Sequence, residues 1–339
     1  MLRIVTMAHT FVYNGLRELG VEVVDFPYKH IYHGESCSYP IPWYGTEKMG
    51  HSSPPRFHRN WSGREYSESE VLAMINDFDL VIAESPRPIV TQTLTRLIKK
   101  TGLPPIVLLD GEDYDYVHEE LVTRFDVQAY FKRELSYEAK NVYPFPFSSY
   151  IIGDERFSFD DSEKELDLFF MAGNTHPSRM LVSKVLKKIV KQHGYRAVVA
   201  LDNEPSEPLV DHTFRFKESA NRLGLEGYLE STARAKIAVS VRGFGRDTIR
   251  AWEIPSYNTL LLSDNLYSLG LIHPHPFTHK ENAVLFNPDC SDLEELLVYY
   301  LEDENELRRV SEAGHEHLKR WHTNKSRARY FLDKVEELV

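Results

Sequence analysis

The hydrophobic positions fall into short apolar runs separated by amphipathic stretches. Near the start, an apolar run at 2–8 precedes a helical pattern that ends at Gly20, and a second apolar run follows at 21–26. This order predicts a βαβ unit. Further apolar runs that end in polar residues lie at 78–85, 104–113 and 126–134. Strands that alternate with helices in this way indicate a parallel sheet covered by helices.

The same alternation resumes after a segment at 143–165 whose prolines and acidic residues are typical of a linker. The strands predicted beyond it are LDLFFMAG, YRAVVALD, AKIAVSVRG, TLLLSD and AVLFNP. From Ser291 onward the apolar spacing is helical, with Ser291 and Glu294 as a predicted capping box. We therefore predict two Rossmann-like α/β domains, 1–155 and 156–339, the second with a helical tail.

Length and composition agree with two soluble domains. The chain has 339 residues, of which 42% are hydrophobic and 27% charged. A net charge of -11 argues against broad contact with nucleic acid or an anionic membrane. Cys37 and Cys290 form no CxxC pair, so neither a disulfide framework nor a thiolate zinc site is indicated. With no apolar run near the roughly 20 residues of a membrane span, we expect a cytoplasmic protein.

The segment 240–264, SVRGFGRDTIRAWEIPSYNTLLLSD, carries the strongest chemical signal. It predicts a buried strand, a glycine turn and a short helix with Asp247 near its N-cap. Backbone N–H groups at a helix start favour an anion, and arginines bind phosphate oxygens. Glu253, near the far end of this helix, could then bind ribose hydroxyls. The residues predicted to bind a nucleoside diphosphate here are Arg242, Gly243, Gly245, Arg246, Asp247, Thr248, Arg250 and Glu253. Alternatively, Arg250 and Glu253 form a surface ion pair and the other arginines are solvated.

A second candidate anion site lies at 169–180, FFMAGNTHPSRM. A strand leads into Gly173 and Asn174, then into a helix with Pro177 near its first position, and Arg179 is expected to point back to the loop. The alternative is an ordinary strand-to-helix turn. The P-loop and dinucleotide glycine motifs are both absent from the sequence, so neither an ATPase nor a dehydrogenase is supported.

Taken together, RGFGRDTIRAWEIPSYNTLLLSD, HPFTHKENAVLFNP and the helical segments after them resemble the C-terminal domain of spore-maturation-type glycosyltransferases. These belong to the family 1 and family 4 like enzymes with the GT-B fold. The resemblance covers about 165–335. It implies two Rossmann-like domains facing a cleft, a sugar nucleotide held mainly by the second, and no requirement for a bound metal or other cofactor. It also implies that Glu253 binds the donor ribose and that the 243–250 region lies near the diphosphate.

The sequence departs from the related family pattern at one position. An EX7E motif ending at Glu253 would have its first glutamate at position 245, where this chain has Gly245. Contact with the donor sugar is therefore lost at that position or taken over by a neighbour such as Asp247. The donor sugar and the stereochemistry of transfer stay open.

The first half offers candidate bases. Asp110, Glu112 and Asp113 follow a predicted strand, where α/β sheets bind ligands. Asp110 or Glu112 could act as general base on an acceptor hydroxyl, as could His9 after the first strand. Alternatively, the carboxylates bind a divalent cation or cap the following helix. The insertion at about 28–67 could cover an acceptor; its histidines are too irregularly spaced for a metal site. Its histidines and aromatic residues include His30, His33, His51, His58, Tyr32, Tyr39, Trp43, Tyr44 and Trp61.

These observations predict a hexosyltransferase-like enzyme that moves a sugar from a nucleotide-diphosphate sugar to a hydroxyl, without a metal. The acceptor, whether glycan, lipid, protein or small molecule, is not identified by the sequence, and nucleic acid is not expected. A sugar-nucleotide epimerase on the same scaffold is one alternative, since a fold does not determine a reaction. A non-catalytic protein that binds sugars or nucleotides is another.

Overall fold

The computed structural model describes residues 2–7, 12–25, 66–85, 88–99, 102–152, 158–159, 164–201 and 224–338. His9 and nearly all of the predicted insertion at about 28–67 lie outside the described residues, including all the histidines and aromatic residues named for it. In the described part of the chain, no helix is long and apolar enough to cross a membrane.

The chain divides into two compact units. Unit 1 contains Met1–Pro146 and Asn324–Val339, and unit 2 contains Phe147–Thr323. Our sequence analysis placed the boundary near residue 155 and assigned the whole C-terminal tail to the second domain. In the structure the tail's last helix lies in unit 1, because its apolar face is buried there.

Unit 1 is built on a parallel sheet. Among the described residues it has six strands in the order β2-β1-β3-β4-β5-β6. The strands are β1 (Arg3–Met7), β2 (Glu22–Asp25), β3 (Leu80–Ser85), β4 (Ile106–Asp110), β5 (Val127–Lys132) and β6 (Val142–Pro144). The helices are α1 (Val12–Glu18), α2 (Glu68–Ala73), α3 (Pro88–Leu97), α4 (Glu119–Arg124) and, from the C-terminal end of the chain, α10 (Asn324–Val335). Strand β4 is buried along its whole length, as its apolar run predicted.

The last helix belongs to unit 1 because it packs closely on α1. Ala328, Phe331 and Val335 are fully buried in a cluster with side chains of α1. A Cβ at Gly15 would collide with the carbonyl group of Asn324 and with Ala328. Glycine at this position therefore permits a close helix–helix approach that the sequence pattern alone did not indicate.

Unit 2 contains a second parallel sheet. Its five described strands follow the order β11-β10-β9-β7-β8. They are β7 (Leu166–Ala172), β8 (Ala197–Leu201), β9 (Ala235–Ser240), β10 (Leu260–Asp264) and β11 (Val284–Phe286). The helices are α5 (Pro177–His193), α6 (Gly224–Ala233), α7 (Arg250–Glu253), α8 (Leu293–Glu302) and α9 (Glu304–Trp321). The predicted α/β class with two Rossmann-like units and a helical C-terminal region is confirmed.

The predicted capping box at Ser291 is wrong. Helix α8 begins at Leu293, and its N-cap is Asp292, which makes no side-chain capping hydrogen bond. The Asp292 carboxylate instead accepts the backbone N–H of Asn287, and Ser291 Oγ accepts from the Asn287 side chain. Both polar side chains stabilise the turn that precedes the helix. A capping box does occur at Ser67 and Glu70, at the start of α2.

Candidate functional site

Two loops meet at one edge of the unit 2 sheet. Strands β7 and β9 are neighbours, with β8 on one side and β10 on the other, so the strand order reverses between them. In open parallel sheets, ligands bind beyond the carboxyl ends of the strands at such a switch point. The loop 173–176 follows β7 and the loop 241–249 follows β9. The residues predicted to bind the donor all lie on these two loops or on the helices that follow them.

Arg179 ties the two loops together. Its side chain is buried, and its Nε donates to the carbonyl oxygens of Arg242, at 2.9 Å, and Val241, at 3.2 Å. Its Nη1 donates to the Gly173 carbonyl at 2.9 Å, and its Nη2 to Val241 at 3.1 Å. As predicted, the guanidinium points back to the loop. Because backbone carbonyls take up these donors, Arg179 positions both loops.

Gly243 is required by the packing of these loops. A Cβ at this position would lie 2.9 Å from Nη2 of Arg179 and 3.1 Å from Oγ1 of Thr175. The Gly243 N–H donates to the carbonyl of Gly245 at 2.9 Å, which closes the turn. Between the two glycines, Phe244 is 72% exposed. Our sequence analysis assigned both glycines to donor binding; in the structure the missing side chain of Gly243 makes room for Arg179.

The three arginines of the second loop have different environments. Arg242 is partly exposed, and Arg246 donates from Nη1 to the carbonyl of Leu269 at 3.0 Å. Arg250 is only 9% exposed and lies over the ring of Tyr228, 5.9 Å from its centroid. The Nε atoms of Arg242 and Arg250 are buried without a hydrogen-bond partner among the described residues. Buried donors of this kind carry a desolvation cost that a bound anion would relieve.

Asp264 is a site residue that our sequence analysis missed. It ends β10, its side chain is buried, and its two carboxylate oxygens lie 3.3 Å from the backbone nitrogen of Arg242. Burial raises the pKa of Asp264 to about 6, while the Arg242 N–H and the guanidinium groups of Arg242 and Arg179 lower it in part. The available signal was its position at the end of a strand that begins with an apolar run.

The helix after the glycine turn is shorter than predicted. It spans Arg250–Glu253 and continues as a 3₁₀ turn, and its N-cap is Ile249, with no side-chain capping bond. Asp247, the predicted N-cap, is buried and accepts from the Phe147 N–H at 2.7 Å and from Trp252 Nε1 at 2.8 Å. The N-cap prediction for Asp247 is therefore wrong, because internal donors occupy its carboxylate.

Thr248 and Asn174 occupy opposite environments at this edge. Thr248 is buried, and its hydroxyl lies 2.8 Å from that of Ser240, so the two form a hydrogen bond inside the unit. Asn174 is exposed on the first loop. Both were predicted to bind the donor, and that role stays a prediction.

Glu253 is buried and held by two tyrosines. The hydroxyl of Tyr150 donates to its Oε1 at 2.7 Å, and the Tyr228 hydroxyl also hydrogen bonds to the carboxylate. Burial raises the pKa of Glu253, and these hydroxyls together with the nearby Arg250 guanidinium lower it in part. Its predicted contact with ribose stays a prediction. The two tyrosines could not be found from spacing, because Tyr150 is 103 positions away.

His176 also lies at this edge. It is the N-cap of the 17-residue α5, and its Nδ1 accepts from the Ser178 N–H at 3.2 Å. Burial lowers the pKa of His176, and the charges of Arg242 and Arg179 lower it further. The imidazole is therefore less readily protonated than a free one, and the arginines supply the positive charge at this edge.

The carboxyl edge of the unit 1 sheet carries the other predicted residues. Asp110, at the end of β4, forms a fully buried ion pair with Lys132, at the end of β5, with 3.0 Å between Oδ2 and Nζ. Tyr130 donates its hydroxyl to the same carboxylate, and Oδ1 accepts the Glu112 N–H at 3.0 Å. Burial lowers the pKa of Lys132, and the Asp110 carboxylate opposes this effect. The structure therefore places Asp110 in a buried network and Glu112 on the partly exposed turn beside it.

Neither edge offers an obvious metal centre. In the part of the chain that the structure describes, three or more histidine, cysteine, aspartate or glutamate side chains nowhere come together in an arrangement that could hold a metal ion. Asp113, the third carboxylate of the predicted acidic group, instead pairs with Arg133.

Comparisons with known proteins show what this chain is similar to. Residues 179–333 match a family model described as glycosyl transferase-like. An alpha-glucosyltransferase solved in complex with UDP is 13% identical with a TM-score of 0.61, over 99% of this chain and 100% of that one. The comparison with curated proteins gave no match.

Two further solved structures have a similar fold. A sucrose-phosphate synthase from Thermosynechococcus elongatus is 9% identical, with a TM-score of 0.53 over 100% of this chain and 99% of that one. A UDP-forming alpha,alpha-trehalose-phosphate synthase from Burkholderia xenovorans is 12% identical, with a TM-score of 0.53 over 99% of both chains. The fold is that of the GT-B glycosyltransferases, and residues 179–333 match the glycosyl transferase-like family model.

Proposed function

We propose that the protein is a glycosyltransferase that moves a hexosyl group from a UDP-sugar to an acceptor hydroxyl. The observation that carries this proposal is the carboxyl edge of the unit 2 sheet. There, Arg179 holds two loops together, and these loops carry Arg242 and Arg250. The Nε atoms of both arginines are buried and have no hydrogen-bond partner in the described part of the chain. The glycosyl transferase-like domain match at 179–333 supports the reaction class, and the fold match to a UDP complex supports the uridine base.

The reaction needs positive charge at the leaving group. The bond between the sugar's anomeric carbon and a β-phosphate oxygen breaks, and that oxygen keeps the electron pair. The acceptor oxygen forms the new bond to the anomeric carbon, and its proton passes to a base. Because negative charge grows on the diphosphate as the bond breaks, preorganised donors at that point lower the barrier. Arg242, Arg246 and Arg250 would supply that stabilisation without a metal.

Other residues would hold the nucleoside and accept the proton. Glu253 would accept a ribose hydroxyl, with Tyr150 and Tyr228 fixing its carboxylate. For the base, His9, Asp110 and Glu112 are the predicted residues. Of the two that the structure describes, we favour Glu112, because it lies on a partly exposed turn, whereas Asp110 is buried.

Thermal shift with UDP tests the donor site, because a ligand that binds only the folded protein raises its melting temperature. We choose Arg242→Ala, since Arg250 is too buried to remove without disturbing the fold. Loss of a charge-assisted hydrogen bond should weaken UDP binding by about tenfold or more. Arg308→Ala, an exposed arginine on α9, is the control and should leave the UDP shift unchanged. An equal UDP shift in Arg242→Ala and in the unsubstituted protein would contradict the site.

Turnover of UDP-glucose and UDP-N-acetylglucosamine then tests the reaction. We expect UDP to be released with a transferred or hydrolysed sugar. If an epimerised sugar nucleotide accumulated instead, the protein would be an epimerase on this scaffold. An epimerised product would contradict a transferase, and UDP binding without conversion of either compound, with or without added acceptor, would favour a non-catalytic binding protein.

A further inference from the structure

Tyrosine rings form a short stack at the carboxyl edge of the unit 1 sheet. The rings of Tyr114 and Tyr116 are stacked, with centroids 4.1 Å apart and planes 9° from parallel. The buried ammonium of Lys132 lies 4.3 Å from the Tyr114 centroid. Because a ring and an ammonium group cannot share one face at these distances, they occupy opposite faces of Tyr114. The stack therefore runs from a buried cation outward to Tyr116.

The outer ring of this stack is open to solvent. Tyr116 is 52% exposed, although it is a large aromatic residue on an ordered turn. His118 contacts it edge-on, with ring centroids 5.1 Å apart. Nearby, Tyr137 is 41% exposed, and its hydroxyl accepts the backbone N–H of Val117, which fixes the turn that carries the stack. Exposed aromatic groups held rigidly in this way are typical of binding surfaces.

The charge around the tyrosines restricts what can bind. Between positions 110 and 120 the chain has no lysine or arginine. It has acidic residues at Asp110, Glu112, Asp113, Asp115, Glu119 and Glu120. The neighbouring cations are turned inward, since the side chain of Lys132 is fully buried and that of Arg133 is 7% exposed. A polyanion such as a nucleic acid would be repelled by this turn.

We propose that Tyr114, Tyr116 and the acidic turn around them form a binding platform for a neutral carbohydrate. The apolar face of a sugar ring would lie on Tyr116, and its hydroxyls would donate to carboxylates of the turn. The proposal rests on the proposed function only in naming this carbohydrate as the acceptor. It narrows the acceptor from any hydroxyl compound to an uncharged glycan.

Saturation-transfer NMR tests the platform without catalysis. The probes are maltohexaose, cellohexaose and N-acetylchitohexaose as neutral glycans, with a heparin hexasaccharide and a twelve-residue thymidylate as polyanions. We expect at least one neutral hexasaccharide to give a signal in the unsubstituted protein. Tyr116→Ala should reduce that signal about fivefold, in line with the loss of an aromatic contact, whereas Tyr116→Phe should keep it. If no neutral probe gives a signal that depends on Tyr116, or if a polyanion gives the stronger one, the proposal is overturned.

A matched control separates this surface from exposed tyrosine in general. Tyr299 is 48% exposed on α8 in unit 2, and Tyr299→Ala should leave the glycan signal unchanged. UDP thermal shifts on the same variants keep the two proposals apart. Tyr116→Ala should retain the full UDP shift. Glycan binding without a UDP shift would refute the donor site alone, and the reverse result would refute the platform alone.

Discussion

The carboxyl edges of the two sheets share an architecture and differ in charge. In unit 2 the edge consists of glycine turns, three arginines and a buried arginine that holds the turns together. In unit 1 the corresponding edge carries an acidic turn, stacked tyrosines and a buried lysine. A parallel sheet brings loop residues to one edge regardless of their identity. The residues on the loops then decide whether that edge suits an anion or a neutral polyol.

A buried cation stabilises each edge, Arg179 in unit 2 and Lys132 in unit 1, and the two act in different ways. The planar group of Arg179 donates to backbone carbonyls of two loops. Lys132 instead pairs with the Asp110 carboxylate. An arginine can satisfy several carbonyls at once because its donors form a fixed fork, whereas a lysine acts as a compact charge. The unit 2 loops are thus held through their backbone, and the unit 1 turn through a side-chain ion pair.

The largest expected change in the free energy of unfolding comes from breaking the ion pair between Lys132 and Asp110. Lys132→Met removes the cation and leaves the Asp110 carboxylate buried without its charge partner, which should lower the free energy of unfolding by about 4 kcal/mol. Urea denaturation measures the change. The double variant Lys132→Met, Asp110→Asn is the control and should recover much of the loss, because no unpaired charge remains. A double variant as unstable as the single one would show that the charge pairing is not the cause.

Much of the fold could be predicted because the strands are apolar runs buried on both faces. Strands β4 and β10 are buried at every position, and each begins with an apolar run, at 106–109 and at 260–262. Strand β6 was missed, since Val142–Pro144 is three residues long, only partly buried, and ends in proline. The apolar pattern also could not indicate that the last helix belongs to unit 1, because that depends on which of two apolar surfaces it meets.

The candidate site was predictable only in part. Glycines, arginines and acidic residues at strand ends marked both edges, since those residue types follow apolar runs directly. The hydrogen-bond partners of these residues were not predictable. Asp247 was assigned to a helix N-cap, but its carboxylate accepts from the backbone of Phe147, 100 positions away. Hydrogen bonds between distant segments leave no local pattern, so the sequence could not separate structural polar residues from those available to a ligand.

Replacing Asp264 is expected to change the free energy of unfolding by a smaller amount, and this change depends on pH. Because the folded-state pKa of about 6 lies above the usual value of 3.8, the folded protein favours the protonated carboxyl. Protonated Asp264 therefore contributes to the free energy of unfolding below about pH 4, and this contribution is lost as the pH rises to about 6. Asp264→Asn, which stays neutral, should gain stability relative to the unsubstituted protein over this range, by at most about 3 kcal/mol. Urea unfolding of both proteins at pH 4, 5, 6 and 7 measures the difference. A difference that stays constant with pH would contradict the inferred titration.

The smallest expected change in the free energy of unfolding comes from replacing a glycine, and we compare one glycine from each edge. Gly243 packs against Arg179 Nη2 and Thr175 Oγ1, whereas a Cβ at Gly111, on the turn after β4, would meet nothing within 4 Å. Gly243→Ala should therefore lower the free energy of unfolding by about 1 kcal/mol, because Arg179 is held by carbonyls and cannot move freely. Gly111→Ala should be neutral or slightly stabilising, since alanine restricts the unfolded chain. Equal losses in both variants, measured by urea denaturation, would mean that the two edges tolerate added volume alike and that Arg179 does not determine the packing of the arginine loop.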